Sequence, residues 1–433
     1  MGQSRGVSAK LIALCTSVAF ERGAYFGLQS ILALYLADVL LDGHVAGAVW
    51  LLPELMAVSG AQGVALAAVV TGLFGALATL APLIGGIIAD RLIGPHRAIL
   101  LGGLMMAAGH GLLVAPPVII PALVVIALGS GFFKGSVAAR LSGLYDAGDT
   151  GRVEGFRMFY LAINIAGLIA PLVIGTVGER VQWHAGFALS CAAMVAGLAI
   201  YAFYFCTDTD EASGSNIEAT TSDSAPNRAA PVALIGLGIA TALLTVPNAQ
   251  LTNAYLLWAK EGFTRDLAGW NMPVSWLIAA DGFVSLVALA ASGVFWAWHD
   301  RRRGVAAAQT KALAGACFVV AAGSCLTLAA MVHGRTGVPV IWGLAFQLLN
   351  SFGLANVLPA VMASFGQASP RRLGATVMAG FYLSLFGGGL MSTWLAGQFV
   401  TLPIATFWLL HALSAVAGAV MMAFMRWHAV RAC

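Results

Sequence analysis

Apolar residues dominate this chain in blocks of about 20, long enough at 1.5 Å per residue to cross a ~30 Å hydrocarbon layer as helices. Windows of that length predict helices near 10–39, 60–89, 97–114, 118–144, 153–177 and 184–206, then near 231–259, 274–298, 309–332, 338–364, 373–398 and 402–426. The short alternating strands of a membrane barrel are absent from the pattern. One long polar stretch interrupts it, residues 207–230, rich in Ser, Thr, Asp and Ala and without an apolar run. The expected organisation is therefore a six-helix bundle over 1–206, a flexible cytoplasmic linker over 207–230, and a second six-helix bundle over 231–433.

Composition turns length into solvent. Of 433 residues 60% are hydrophobic and 9% charged, with a mean hydropathy of +0.89. A soluble domain carries about a quarter charged residues, so the solvent here is lipid. In lipid every backbone N–H and C=O needs an internal partner, which leaves helices once barrels are set aside.

Charge then gives direction. The net charge of +4 names no partner, and nothing points to nucleic acid. Sixteen of the 22 Lys and Arg fall on the side of the two termini and the linker, and four (Arg180, Lys260, Arg265, Arg335) on the other. The positive-inside rule puts both termini and the linker in the cytoplasm, as expected for a bacterial inner membrane. The six cysteines are scattered without a CxxC spacing, which argues against a disulfide framework or a metal site. No cleavable leader is evident: Arg5 and Lys10 lead into a segment too long for one.

Four charges stand well inside the predicted helices: Glu21, Arg22, Lys134 and Asp281. Each costs several kcal/mol in hydrocarbon unless paired or wetted, which makes it a functional candidate. Glu21, Arg22, Tyr25 and Gln29 share a helix face by their spacing. Asn248, Gln250 and Asn253 are polar candidates either for a water-filled path or for joining helices. No nucleophile–base pair and no metal constellation is present, so neither an enzyme nor a cofactor is expected.

A repeat links the two sets of helices. Gly85-Gly86-Ile-Ile-Ala-Asp90-Arg91 follows the second helix, and His299-Asp300-Arg301-Arg302-Arg303-Gly304 stands at the equivalent place in the second half. An Asp in such a loop can cap a helix and pair across to a neighbouring helix end. Gly86, Asp90, Arg91, Asp300 and Arg301 are therefore candidate gating residues. Such repeats suit alternating access around a site near the midplane.

The loop resembles the signature of the major facilitator superfamily. The resemblance sharpens in Phe20-Glu21-Arg22-Gly23-Ala24-Tyr25-Phe26-Gly27, Gly129-Ser-Gly131-Phe-Phe-Lys134, Phe156-Arg157-Met158-Phe159-Tyr160-Leu-Ala-Ile-Asn164 and Trp183-His184-Ala-Gly186-Phe187. These resemble the proton-coupled oligopeptide transporters (POT/PTR), of which the chain reads as a divergent 12-helix member. The second half matches more loosely, through Gly269-Trp270, Pro273-Val-Ser275-Trp276, Pro359 and Arg371-Arg372. The resemblance implies a major facilitator fold with a central cavity, lined by Arg22, Tyr25, Lys134, Tyr160, Asn164, Asp281 and Phe381. Proton coupling would run through Glu21, Lys134 and Asp281, with Glu21 and Lys134 switching between an ion pair and a protonated acid beside a freed lysine.

The departures carry information. Val18 and Leu354 stand where the family has acids, and Gln29 and Ala249 stand where it has the two partners of an ion pair. Losing both partners of a pair strands no charge. Asp281 replaces an Asn, so one acid has moved to a different wall. The two cations and one acid of the first half, set against Asp281, fit a zwitterion, with Arg22 and Lys134 on its carboxylate and Asp281 on its ammonium. The reading is a symporter of di- or tripeptides or peptide-like zwitterions. Its rivals are a carrier or exporter of a non-peptide substrate and a transport-inactive receptor.

Overall fold

The computed structural model describes residues 2–41, 47–145, 151–206, 230–267, 269–367 and 374–432. Most of the 207–230 linker, Arg371, Arg372 and the side chain of Asp90 lie outside the described residues. Within them run twelve helices of 18 residues or more. They are α1 (Gly2–Leu41), α2 (Gly63–Ile88), α3 (Pro95–Leu112), α4 (Ile119–Ser142), α5 (Gly151–Ala170), α6 (Trp183–Phe205), α7 (Ala230–Ala249), α8 (Trp276–Arg303), α9 (Ala308–His333), α10 (Val340–Gln367), α11 (Gly374–Ala396) and α12 (Ile404–Ala432). Ten described helical segments are long and apolar enough to cross a membrane.

The helices pair in a pattern that repeats after six. In the first half α1 packs on α5 and α6, and α3 packs on α4 and α6. In the second half α7 packs on α11 and α12, and α9 packs on α10 and α12. Each partner number is the first-half number plus six, which is the internal repeat expressed as packing. Of its apolar window α1 buries 78%, against 33% for α5 and α6, so α1 is the interior helix of its group. The apolar centre of the second half includes Leu244, Val319, Val357, Val361, Phe365 and Phe381.

Two compact units emerge. One comprises Met1–Val70, Leu77–Asn216 and Pro273–Ala279, the other Thr71–Ala76, Ile217–Met272 and Ala280–Cys433. The first turn of α8 thus packs within the first unit while the rest of α8 packs within the second.

Several local features depart from the hydropathy reading. The seventh segment, expected as one helix over 231–259, ends at Ala249 and resumes as Ala254–Gly262. Pro247 has no N–H to donate and crowds the turn before it, which favours a break nearby. The fifth segment continues past Ala170 through a π-turn at Pro171–Gly175 and a short helix, Thr176–Arg180. A short helix over Leu52–Ser59 precedes α2. In the second unit Phe263–Thr264 pairs in parallel with Val338–Pro339, and Asp266–Leu267 pairs antiparallel with Trp270–Asn271. Gly269, at φ +87, makes that hairpin turn, and its N–H donates to Asp266 Oδ1 at 2.6 Å.

Candidate functional site

The charged cluster of the first unit is built on α1 and α4. Glu21 is 1% exposed and Arg22 8%, and the Arg22 guanidinium donates from two nitrogens to both oxygens of Glu21. Tyr25, one turn on, lies under both cations: the Arg22 guanidinium carbon is 5.3 Å from its ring centre and Lys134 Nζ is 4.2 Å away. A cation over an aromatic face is held by the ring quadrupole, more strongly where water is scarce. Gln29 Nε2 completes the face, donating to the Tyr25 hydroxyl at 3.0 Å.

This arrangement differs from the expected Glu21–Lys134 pair. The fork of Arg22 matches a carboxylate bidentately and takes both Glu21 oxygens. Lys134 makes no ion pair among the described residues; its ammonium has the ring of Tyr25 instead. With two cations and one acid, the described cluster carries one positive charge in excess.

Glycines set the depth of Lys134. A Cβ on Gly131 would stand 2.4 Å from the Ala81 carbonyl oxygen, and one on Gly129 2.7 Å from that of Gly102. One on Gly135 would stand 3.0 Å from Gly86 Cα. Backbone therefore meets backbone where α4 crosses α2 and α3, and Lys134 sits between Gly131 and Gly135 in that contact. The Gly129-Ser-Gly131 motif is a packing device whose product is the position of a lysine.

In the second unit Asp281 is partly buried on α8. Its described partner is the Ser351 hydroxyl on α10, at 3.4 Å, and Ser351 also shares a bond of 3.1 Å with Ser285. Next to Ser351, Asn350 Nδ2 donates to Asn248 Oδ1 on α7 at 2.7 Å. A carboxylate has about four acceptor positions, and one long hydroxyl contact leaves Asp281 open to a further donor. The sequence reading did not single out Asn350, Ser351 or Ser285; their neighbouring positions on α10 and the turn spacing to Asp281 on α8 were the available signal.

The other expected residues are placed as follows. Tyr160 is 62% exposed on α5, and Asn164 Nδ2 donates to the Tyr160 carbonyl at 2.7 Å, so the amide is partly engaged by its own helix. Phe381 is 5% exposed, edge-on to Phe365 at 6.2 Å in the apolar core of the second unit, with Leu354 in the same core. Asp300 accepts the Ala306 N–H at 3.0 Å and pairs with Lys311 on α9 at 3.2 Å, tying the loop between α8 and α9; Arg301 and Arg91 are exposed. Gly86 lies against Gly135 as described.

Gln250 joins helices. It is fully buried at the break in the seventh segment, and its Nε2 donates to the Ser392 carbonyl at 2.8 Å and to His411 Nε2 at 3.0 Å. His411 Nδ1 lies 2.8 Å from the Phe407 carbonyl, which assigns the proton to Nδ1 and leaves Nε2 as the acceptor. Among the described residues no three His, Cys, Asp or Glu gather as a metal site.

A family model described as the POT family matches residues 96–229. The di-/tripeptide transporter of Lactococcus lactis subsp. cremoris is 35% identical over 208 residues, which is 47% of this chain and 38% of the relative. The peptide transporter YePEPT of Yersinia enterocolitica is 31% identical over 196 residues, 44% of this chain and 35% of the relative. A crystal structure of a mutant peptide transporter POT in complex with alafosfalin superposes with a TM-score of 0.83 at 20% identity, over 100% of this chain and 98% of that one.

Over residues 96–229 the chain is similar to the POT family.

Its fold is that of an all-α membrane protein of the major facilitator type, with two six-helix bundles. The matched part spans less than half the length of these curated relatives. Among the described residues, the cation-rich face of α1 and α4 in the first unit and Asp281 of α8 in the second are the charged groups set well inside the spans.

Proposed function

We propose that this protein is a POT-type transporter that carries di- or tripeptides, or peptide-like zwitterions, across the membrane by alternating access in symport with protons. The observation that carries the reading is the excess cation of the first unit: Arg22 donates to both oxygens of Glu21, while Lys134 lies over the Tyr25 ring and makes no ion pair among the described residues. A cation kept within a membrane-spanning helix group invites an anion, and the carboxylate end of a peptide supplies one. Asp281, with one long hydroxyl contact, offers the opposite pole to an ammonium group. Tyr25, Tyr160 and Asn164 add neutral hydrogen-bonding groups in the first unit. Glu21, Lys134 and Asp281 are the groups through which protons couple.

The family match over residues 96–229 and the similarity to the di-/tripeptide transporter of Lactococcus lactis support the peptide class. The bias of Lys and Arg supports a bacterial inner-membrane protein with both termini in the cytoplasm. Gly86, Asp90 and Arg91, and Asp300 and Arg301 in the second half, form the cytoplasmic loops that change partners as access alternates.

The test is counterflow of labelled Ala-Ala in proteoliposomes of the purified chain. Exchange that unlabelled dipeptides compete for supports the reading. A folded protein that exchanges no di- or tripeptide contradicts it, and exchange of a non-peptide zwitterion alone moves the chain to a different cargo on the same fold.

A further inference from the structure

The segment entering α8 is held by a single acid from far up the chain. The Glu179 carboxylate accepts the N–H of Val274 at 2.8 Å and that of Ser275 at 2.7 Å, from 95 and 96 residues away. Trp276, Leu277 and Ile278 each bond to the carbonyl three residues back, so the helix opens as a tight turn. The N–H groups ahead of that turn have no partner within the helix and point along the positive end of its dipole. Glu179 supplies both the acceptors and the charge.

Two further contacts fix the same segment, at Ser275 and Trp276. The Trp276 indole donates to Thr176 Oγ1 at 2.8 Å. A Cβ on Gly175 would stand 2.3 Å from Ser275 Oγ, so the backbone of the Pro171–Gly175 turn lies directly against that serine. Val274 is 2% exposed and Ser275 0%.

Asp281 follows Trp276, the first residue of α8, by five residues on one unbroken helix, a rise of roughly 8 Å. Its own hydroxyl contact, at 3.4 Å, is too long to fix its direction. The depth and azimuth of the Asp281 carboxylate are therefore set by α8, and α8 is anchored at its first turn. We infer that Glu179 is a positioning residue for Asp281, fixing the start of α8 and with it where the ammonium-accepting carboxylate stands. This rests on the reading of Asp281 given above.

The experiment compares affinities for Ala-Ala and N-acetyl-Ala-Ala by ligand-induced thermal stabilisation. It uses the wild type, Glu179→Gln, Asp281→Asn and the double variant. Glutamine keeps the volume but offers one acceptor oxygen, and its NH2 group faces the second N–H donor to donor. The wild type is expected to prefer the free amine by about tenfold or more, and Asp281→Asn to abolish that preference. Glu179→Gln should lower it by about threefold to tenfold, leave N-acetyl-Ala-Ala binding unchanged, and add nothing in the double variant. A preference untouched by Glu179→Gln, an equal loss for both ligands, or effects that multiply in the double variant would overturn the positioning role while Asp281 keeps its own. A preference that survives Asp281→Asn removes the reading of Asp281 and the inference with it. If Glu179→Gln does not fold, Thr176→Val, which removes only the acceptor for Trp276, is expected to lower the preference in the same direction, and no change there overturns the inference.

Discussion

Lys134 Nζ stands 4.2 Å from the centre of the Tyr25 ring, and the Arg22 guanidinium shares that ring at 5.3 Å. One tyrosine thus gathers the cations of two helices, while Glu21 is engaged by Arg22. The ring is what distinguishes this cluster from a neutralised ion-pair network.

Replacing the ring tests that. Tyr25→Phe keeps the aromatic face and loses the bond from Gln29, and Ala-Ala affinity is expected to stay within about threefold. Tyr25→Leu removes the face, worth about 1–2 kcal/mol in a dry setting, so affinity should fall about tenfold in a thermal-shift titration.

Coupling is expected to separate from exchange. In Glu21→Gln and in Asp281→Asn, counterflow in proteoliposomes should persist while uphill uptake driven by a pH gradient is lost in at least one of them. Full uphill uptake in both variants would remove these two carboxylates from the coupling.

The Gln250–His411 bond is structural, and its variants should report on stability. Gln250→Leu leaves the His411 acceptor unmet, and an unsatisfied buried polar group costs about 1–3 kcal/mol. His411→Leu strands the Gln250 donor at similar cost. The double variant should recover part of the loss in thermal unfolding, since neither partner is then left alone. Additive losses would mean that the bond contributes little.

The glycine crossing makes a packing prediction. Gly131→Ala puts a methyl 2.4 Å from the Ala81 carbonyl oxygen, in contact with backbone that has little room to move. A loss of about 1–3 kcal/mol is expected, with weaker binding of Ala-Ala because Lys134 is displaced. Gly86→Ala should be milder, because nothing lies within 4 Å of its added Cβ.

Helix positions were legible because membrane spans announce themselves by length and apolar content, and the six-fold shift in packing follows from two similar halves. The break after Ala249 was signalled by Pro247 and by the polar run Asn248, Gln250 and Asn253, but an apolar window averages over such a run. Partners were not legible. His411 lies 161 residues from Gln250 and Glu179 lies 96 from Ser275, and helical periodicity gives a face without saying what meets it. Glu179 also lies near the end of its segment, outside a search confined to charges deep in the spans. The charges themselves were found by the cost of burying them, yet the neighbouring Arg22, and not Lys134, takes Glu21.

The central claim is that the uncompensated cation of the first unit holds a substrate carboxylate. The direct measurement is the affinity of the wild type and of Lys134→Gln for Ala-Ala and for its C-terminal amide, Ala-Ala-NH2, by ligand-induced thermal stabilisation. The wild type is expected to prefer the free carboxylate by about tenfold or more, and Lys134→Gln to lose most of that preference while still folding. A preference that is absent from the wild type, or that survives intact in Lys134→Gln, would contradict the account.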